Sequence, residues 1–90
     1  MAVPDAPAPT ITSTSFDSIT VDLGASNTDF DRDLAIREGS VSASDPAAGD
    51  IVDTVPGTTT TYTFDQLAGG AGLQPDTTYT LSQRFKAPGA

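Results

Sequence analysis

Apolar and polar positions along this chain alternate in twos, and no window carries a sustained apolar stripe at helical spacing. Ser18-Ile19-Thr20-Val21-Asp22-Leu23 puts Ile19, Val21 and Leu23 on one face of an extended strand and Thr20 and Asp22 on the other. Thr61-Tyr62-Thr63-Phe64 repeats the pattern. Thr78-Tyr79-Thr80-Leu81-Ser82-Gln83-Arg84-Phe85 continues it, with Gln83 among Tyr79, Leu81 and Phe85. Asp33-Leu34-Ala35-Ile36-Arg37 is a shorter strand candidate. Turn residues separate these runs at Gly24-Ala25-Ser26-Asn27, at Asp45 to Asp50, at Pro56-Gly57 and at Gly69-Gly70-Ala71-Gly72. Short strands punctuated this often predict an all-β sandwich or small barrel.

Pro4, Pro7 and Pro9 keep the first residues extended and poor at sheet pairing, since proline has no N–H to give a ladder. The expected organisation is therefore an extended lead over residues 1–9, a single β-sandwich over 10–86 and a short tail over 87–90. The core inventory is small: Ile, Leu, Val and Phe together make about a fifth of the 90 residues. A domain of this size buries only about 60–65% of its unfolded surface, so modest stability is expected.

Composition removes most chemistry. There is no His, no Cys and no Trp, which excludes disulfides, Cys/His zinc sites and nucleophilic sites that depend on an imidazole base. The absence of Cys fits a reducing compartment. A net charge of −8 repels a phosphate backbone, so nucleic acid is not an expected partner. No apolar run approaches the length of a membrane span, and Met1 to Pro9 lacks the basic and apolar regions of a signal peptide.

Three stretches, taken in order, resemble the fibronectin type III family. Pro7-Ala8-Pro9-Thr10-Ile11 is similar to its first strand, with Ser18-Ile19-Thr20-Val21 as the second, and Val55 to Leu67 is similar to the approach to its fifth. Leu73-Gln74-Pro75-Asp76-Thr77-Thr78-Tyr79 resembles its tyrosine corner, built on Leu73, Pro75 and Tyr79, in which a Tyr hydroxyl bonds to upstream backbone. The resemblance implies a fibronectin type III-like, immunoglobulin-like sandwich. Two departures stand out. Leu23 occupies the place of the family's Trp, and the last (seventh) strand is missing, because Ala87-Pro88-Gly89-Ala90 is too short and too broken to supply it.

That gap leaves the final strand as an open edge. Thr80, Ser82, Arg84 and Lys86 are the expected partner-binding residues, and a neighbouring chain completing the sheet is the expected use. Edge protection by Arg84 and Lys86 is the plainer alternative. Asp29, Asp31 and Asp33 are candidate Ca²⁺ ligands, following Asn27. The competing reading is an acidic loop between the second and third strands, since Leu34 and Ser40 stand where a calcium-binding loop of the EF-hand type needs Gly and Glu. No cofactor besides Ca²⁺ is expected. The Thr58-Thr59-Thr60-Thr61 run reads as a strand face.

No catalytic residues are assigned, and no enzymatic activity is expected. The expected function is structural and binding: a subunit of a larger assembly, partnered by protein subunits or by copies of itself. Analogy of fold and size adds a virion accessory role, in capsid decoration or the tail of a phage particle. The alternative is a carbohydrate- or surface-binding module of a larger extracellular protein.

Overall fold

The computed structural model describes residues 3–39 and 48–88. It is an all-β sandwich of two three-stranded antiparallel sheets. The strands are β1 (Thr10–Thr14), β2 (Ile19–Asp22), β3 (Asp31–Glu38), β4 (Ile51–Pro56), β5 (Thr61–Phe64) and β6 (Tyr79–Lys86), with one 3-10 turn at Ala48–Asp50 before β4. One sheet has the order β1-β2-β5 and the other β4-β3-β6.

The period-two pattern sets which side chains meet between the sheets. Val21 and Leu23 from the β2 segment, Leu34 and Ile36 from β3, Phe64 from β5, Leu81 from β6 and Leu73 from the loop before β6 form the buried cluster. Each fully buried aliphatic side chain contributes about 1.5–3 kcal/mol, and so short a list leaves little margin over the entropy of ordering the chain.

Two strands differ from expectation. β3 begins at Asp31 rather than Asp33, because its ladder with β6 runs unbroken from Asp31↔Lys86 to Glu38↔Tyr79. β4 has no clean alternation to announce it. Ile51 and Val52 are adjacent, and the ladder shifts register where β3 passes from Leu34 to Ala35. The threonine run is corrected as well: only Thr61 lies in a strand. Thr58–Thr60 belong to the turn after β4, where the Thr59 N–H donates to the Pro56 carbonyl at 2.9 Å. Of the expected turn over residues 45–50, only Ala48–Asp50 lies within the described residues, and Ser40 lies outside them.

One side of the sandwich is bridged. The Tyr62 hydroxyl on β5 donates to Asp53 Oδ2 on β4 at 3.0 Å, joining the two outer strands there. On the opposite side stand β1 and β6.

Candidate functional site

The side between β1 and β6 is open, and Ile11 records it. In the β1–β2 ladder Ile11 lies opposite Val21, and directly opposed residues share a face of the sheet. Ile11 therefore points inward beside a residue that is wholly buried, yet it is 54% exposed. All five residues of β1 are exposed. Among the described residues nothing buries this part of the inner face of β1.

Across the gap, β6 is the last strand of its sheet among the described residues. The Gly39 N–H donates to the Thr78 carbonyl at 2.8 Å, which continues the β3–β6 register by one pair and fixes its phase. Hydrogen-bonded pairs alternate along an antiparallel ladder. Thr80, Ser82, Arg84 and Lys86 therefore exchange backbone bonds with β3. The N–H and C=O groups of Tyr79, Leu81, Gln83 and Phe85 face outward, where no other strand pairs with them among the described residues.

The four residues expected to receive a partner do lie together on β6, but their roles differ. Their side chains project from the outer face of the sheet. Ser82 is buried at 7% exposure, and Thr80 Oγ1 donates to the Gly39 carbonyl at 2.7 Å. Arg84 Nε lies 3.0 Å from Asp33 Oδ2, and Lys86 Nζ lies 3.7 Å from Asp33 Oδ1. The backbone groups a strand could use belong to the alternate residues.

Grooves mark both ends of the opening. One, of about 400 Å³, runs between the β1–β2 hairpin and the corner before β6, and its lining includes Thr14, Phe16, Ile19, Leu73, Pro75 and Tyr79. The other lies between Val3–Ala6 and Gln83–Phe85. Here the proline-rich lead crosses the gap: the Pro7 carbonyl accepts from Gln83 Nε2 at 2.8 Å, and Pro7 packs beside Gly24. The lead forms no strand, as its prolines require.

The expected corner residues are brought together. Leu73 is buried, and Tyr79 closes on the backbone between them. Its hydroxyl accepts a hydrogen bond from the Gln74 N–H, an upstream backbone amide, at 2.8 Å. Asp76, in the same turn, holds a left-handed φ of 54°.

The candidate calcium ligands are not gathered. Among the described residues no group of three or more carboxylates is placed to share a metal ion. Asp29 lies in the turn before β3, where its N–H bonds to Asn27 Oδ1. Asp33 is turned to Arg84, Lys86 and the Thr54 hydroxyl, which donates at 2.7 Å. Burial by itself pushes the Asp33 pKa up. The Thr54 bond and the two cations overcome that and hold it below the ordinary value.

Arg32 is the feature that sequence reasoning passed over. It has no solvent exposure and, among the described residues, bonds to no carboxylate. Its guanidinium donates to the carbonyls of Leu23 (2.8 Å), Ala25 (2.6 Å) and Gly57 (3.1 and 3.2 Å) and to Gln83 Oε1 (2.9 Å). It also lies 4.8 Å from the ring centre of Phe85. Burial lowers its pKa, and the nearby Asp22 charge partly offsets that. The signal was present in the alternation, since Arg32 shares parity with Leu34 and Ile36 and so must face inward. Arg32 and Gln83 together tie the open side to the loops after β2 and β4.

Among the described residues no helix is long and apolar enough to cross a membrane. The chain matches no protein-family model, no characterised protein and no solved structure.

Proposed function

We propose that this chain is a non-enzymatic structural and binding subunit of a larger protein assembly, and that the opening between β1 and β6 is where a neighbour engages it. The observation that carries this reading is Ile11, an inward-facing aliphatic left 54% exposed beside the fully buried Val21. A strand laid along β6 would cover it and use the outward backbone groups. The reading as a fibronectin type III-like sandwich without its last strand draws support from that edge and from the Tyr79–Gln74 bond. Placement in a virion, as a capsid-decoration or tail-associated subunit, rests on analogy of fold and size.

The larger groove has little to offer catalysis. Asp76 is the one carboxylate in its lining, whereas carboxylate-based hydrolysis needs a convergent pair. The second reading, a carbohydrate-binding module, is favoured by Phe16, which stands 75% exposed at this groove. Titration with oligosaccharides followed by the amide resonances of Phe16 and Tyr79 would reveal it.

Sedimentation of native extract tests the assembly reading. The chain is expected to travel with a particle far heavier than itself and to leave it in mild denaturant. Recovery of all of it as a free monomer would contradict the proposal.

A further inference from the structure

We infer that the opening takes one extended segment of another polypeptide, alternating apolar and polar side chains with an acidic residue at its Arg84–Lys86 end, and does not take the edge of a second whole sandwich. This rests on the assembly reading and specifies its partner.

The exposed strand β1 sets the capacity. Antiparallel pairing of β6 with β6 of another copy requires a two-fold axis normal to the sheet. That axis keeps both copies' other sheets on the same side, so both β1 strands would compete for the space above the joint. A second copy also brings another charge of −8. A lone segment meets neither obstacle and slides beneath Ile11.

Its chemistry follows from what it would touch. Side chains pointing inward meet Ile11, Leu81 and Tyr79, and the larger groove at that end is lined by Ile19, Leu73 and Pro75. Apolar residues belong there. Side chains pointing outward pass Thr80 and Ser82, which suits Thr or Ser as cross-strand neighbours. At the far end Arg84 and Lys86 share the single carboxylate of Asp33. The other cations are committed elsewhere, Arg32 to the interior and Arg37 to Asp50 at 3.7 Å. An acidic residue of the incoming segment therefore belongs beside Arg84 and Lys86.

The test appends to the full chain, after Ala90 and a flexible Gly/Ser linker, a probe of about eight residues that begins with glutamate and then alternates valine and threonine. That length matches the span from Tyr79 to Lys86, which puts the glutamate opposite Lys86 on the outer face and the valines on the inner one, and the tether supplies a millimolar effective concentration. Amide exchange at Tyr79, Leu81, Gln83 and Phe85 is expected to slow at least ~10-fold, with a rise in Tm of roughly 5 °C or more. Ile11→Asp, at an exposed site, is expected to abolish both gains and leave the untethered fold intact. Thr58→Asp, away from the opening, is expected to leave them. Unchanged exchange in the tethered chain overturns this inference without touching the sedimentation result. Protection that rises with concentration in the untethered chain would identify a second copy as the occupant and also overturn it. Protection of these four amides in the dilute, untethered monomer removes the open edge itself, and with it the assembly reading.

Discussion

Arg32→Met separates two opposed effects, because it keeps most of the side-chain volume while deleting the charge and all five donated bonds. Replacing a buried ion with a hydrophobe of similar size is often neutral or stabilising, since the cost of desolvating the charge disappears. The outcome depends on which acceptors are orphaned. The Leu23 carbonyl keeps Gln83 Nε2 at 2.8 Å, and the Gly57 carbonyl keeps the Asn27 N–H at 2.9 Å. The Ala25 carbonyl is only partly buried and can turn to water. Gln83 Oε1 has no such recourse, because Gln83 is 3% exposed and Arg32 is its donor. An orphaned buried acceptor costs about 1–3 kcal/mol, and losing the cation above Phe85 costs about 1–2 kcal/mol more. Relief of the guanidinium's desolvation offsets part of the sum, leaving an expected loss of about 2–3 kcal/mol. For a domain of this size that lowers Tm by roughly 10–20 °C.

Thermal and urea unfolding followed by far-UV circular dichroism measures the loss. Arg32→Met with Gln83→Met is not expected to recover it, because removing the orphaned oxygen also takes the last donor from the buried Leu23 carbonyl. Arg32→Lys should not rescue, since a single ammonium cannot reach four separated acceptors. A neutral or stabilising Arg32→Met would refute this assignment of Arg32 as the tie between the open side and its loops.

Further consequences follow from other contacts. Tyr79→Phe removes the bond to the Gln74 N–H and is expected to cost about 1 kcal/mol in urea unfolding, with the change in amide exchange confined to the turn at 73–78. Gly57→Ala places a methyl group against the carbonyls of Phe30 and Asn27, so a loss of about 2 kcal/mol or more is expected in the same assay. The folded pKa of Asp33 lies below its ordinary 3.8, so its stabilising effect is complete above that value and is lost as pH falls through the folded pKa. Asp33→Asn should flatten this acid limb of the stability curve. Tyr62, raised to about 12 from 10.0, chiefly by burial and then by its bond to Asp53, contributes in the other direction. That stability is present below pH 10 and disappears toward pH 12, and Tyr62→Phe should remove the alkaline loss.

The sheets were legible where alternation was clean and dark where it was not. Ile19, Val21 and Leu23 announced β2, and Tyr79 through Phe85 announced β6, because one face of each meets the core. β4 was not legible, since Ile51 and Val52 are neighbours and a ladder irregularity lies beside them. The bond from Tyr79 to backbone just upstream could be anticipated because a ring with a polar tip both fills space and takes a hydrogen bond. Arg32 could not be read as interior while it was grouped with the Asp residues around it, because charge outweighs parity in a sequence and parity outweighs charge in a strand. At the candidate site, the sequence singled out Thr80, Ser82, Arg84 and Lys86 by their side chains, whereas the outward backbone groups of β6 belong to the residues between them. Side chains are visible in a sequence, whereas the direction of a backbone N–H depends on the phase of a ladder.

Residue-resolved amide exchange on the isolated chain at low concentration tests the open edge most directly. Along β6, Thr80, Ser82, Arg84 and Lys86 should be protected by their bonds to β3, while Tyr79, Leu81, Gln83 and Phe85 exchange markedly faster, giving a two-residue oscillation. Uniform protection through all eight positions would mean that this strand already has neighbours on both sides, and a partner would have no place there.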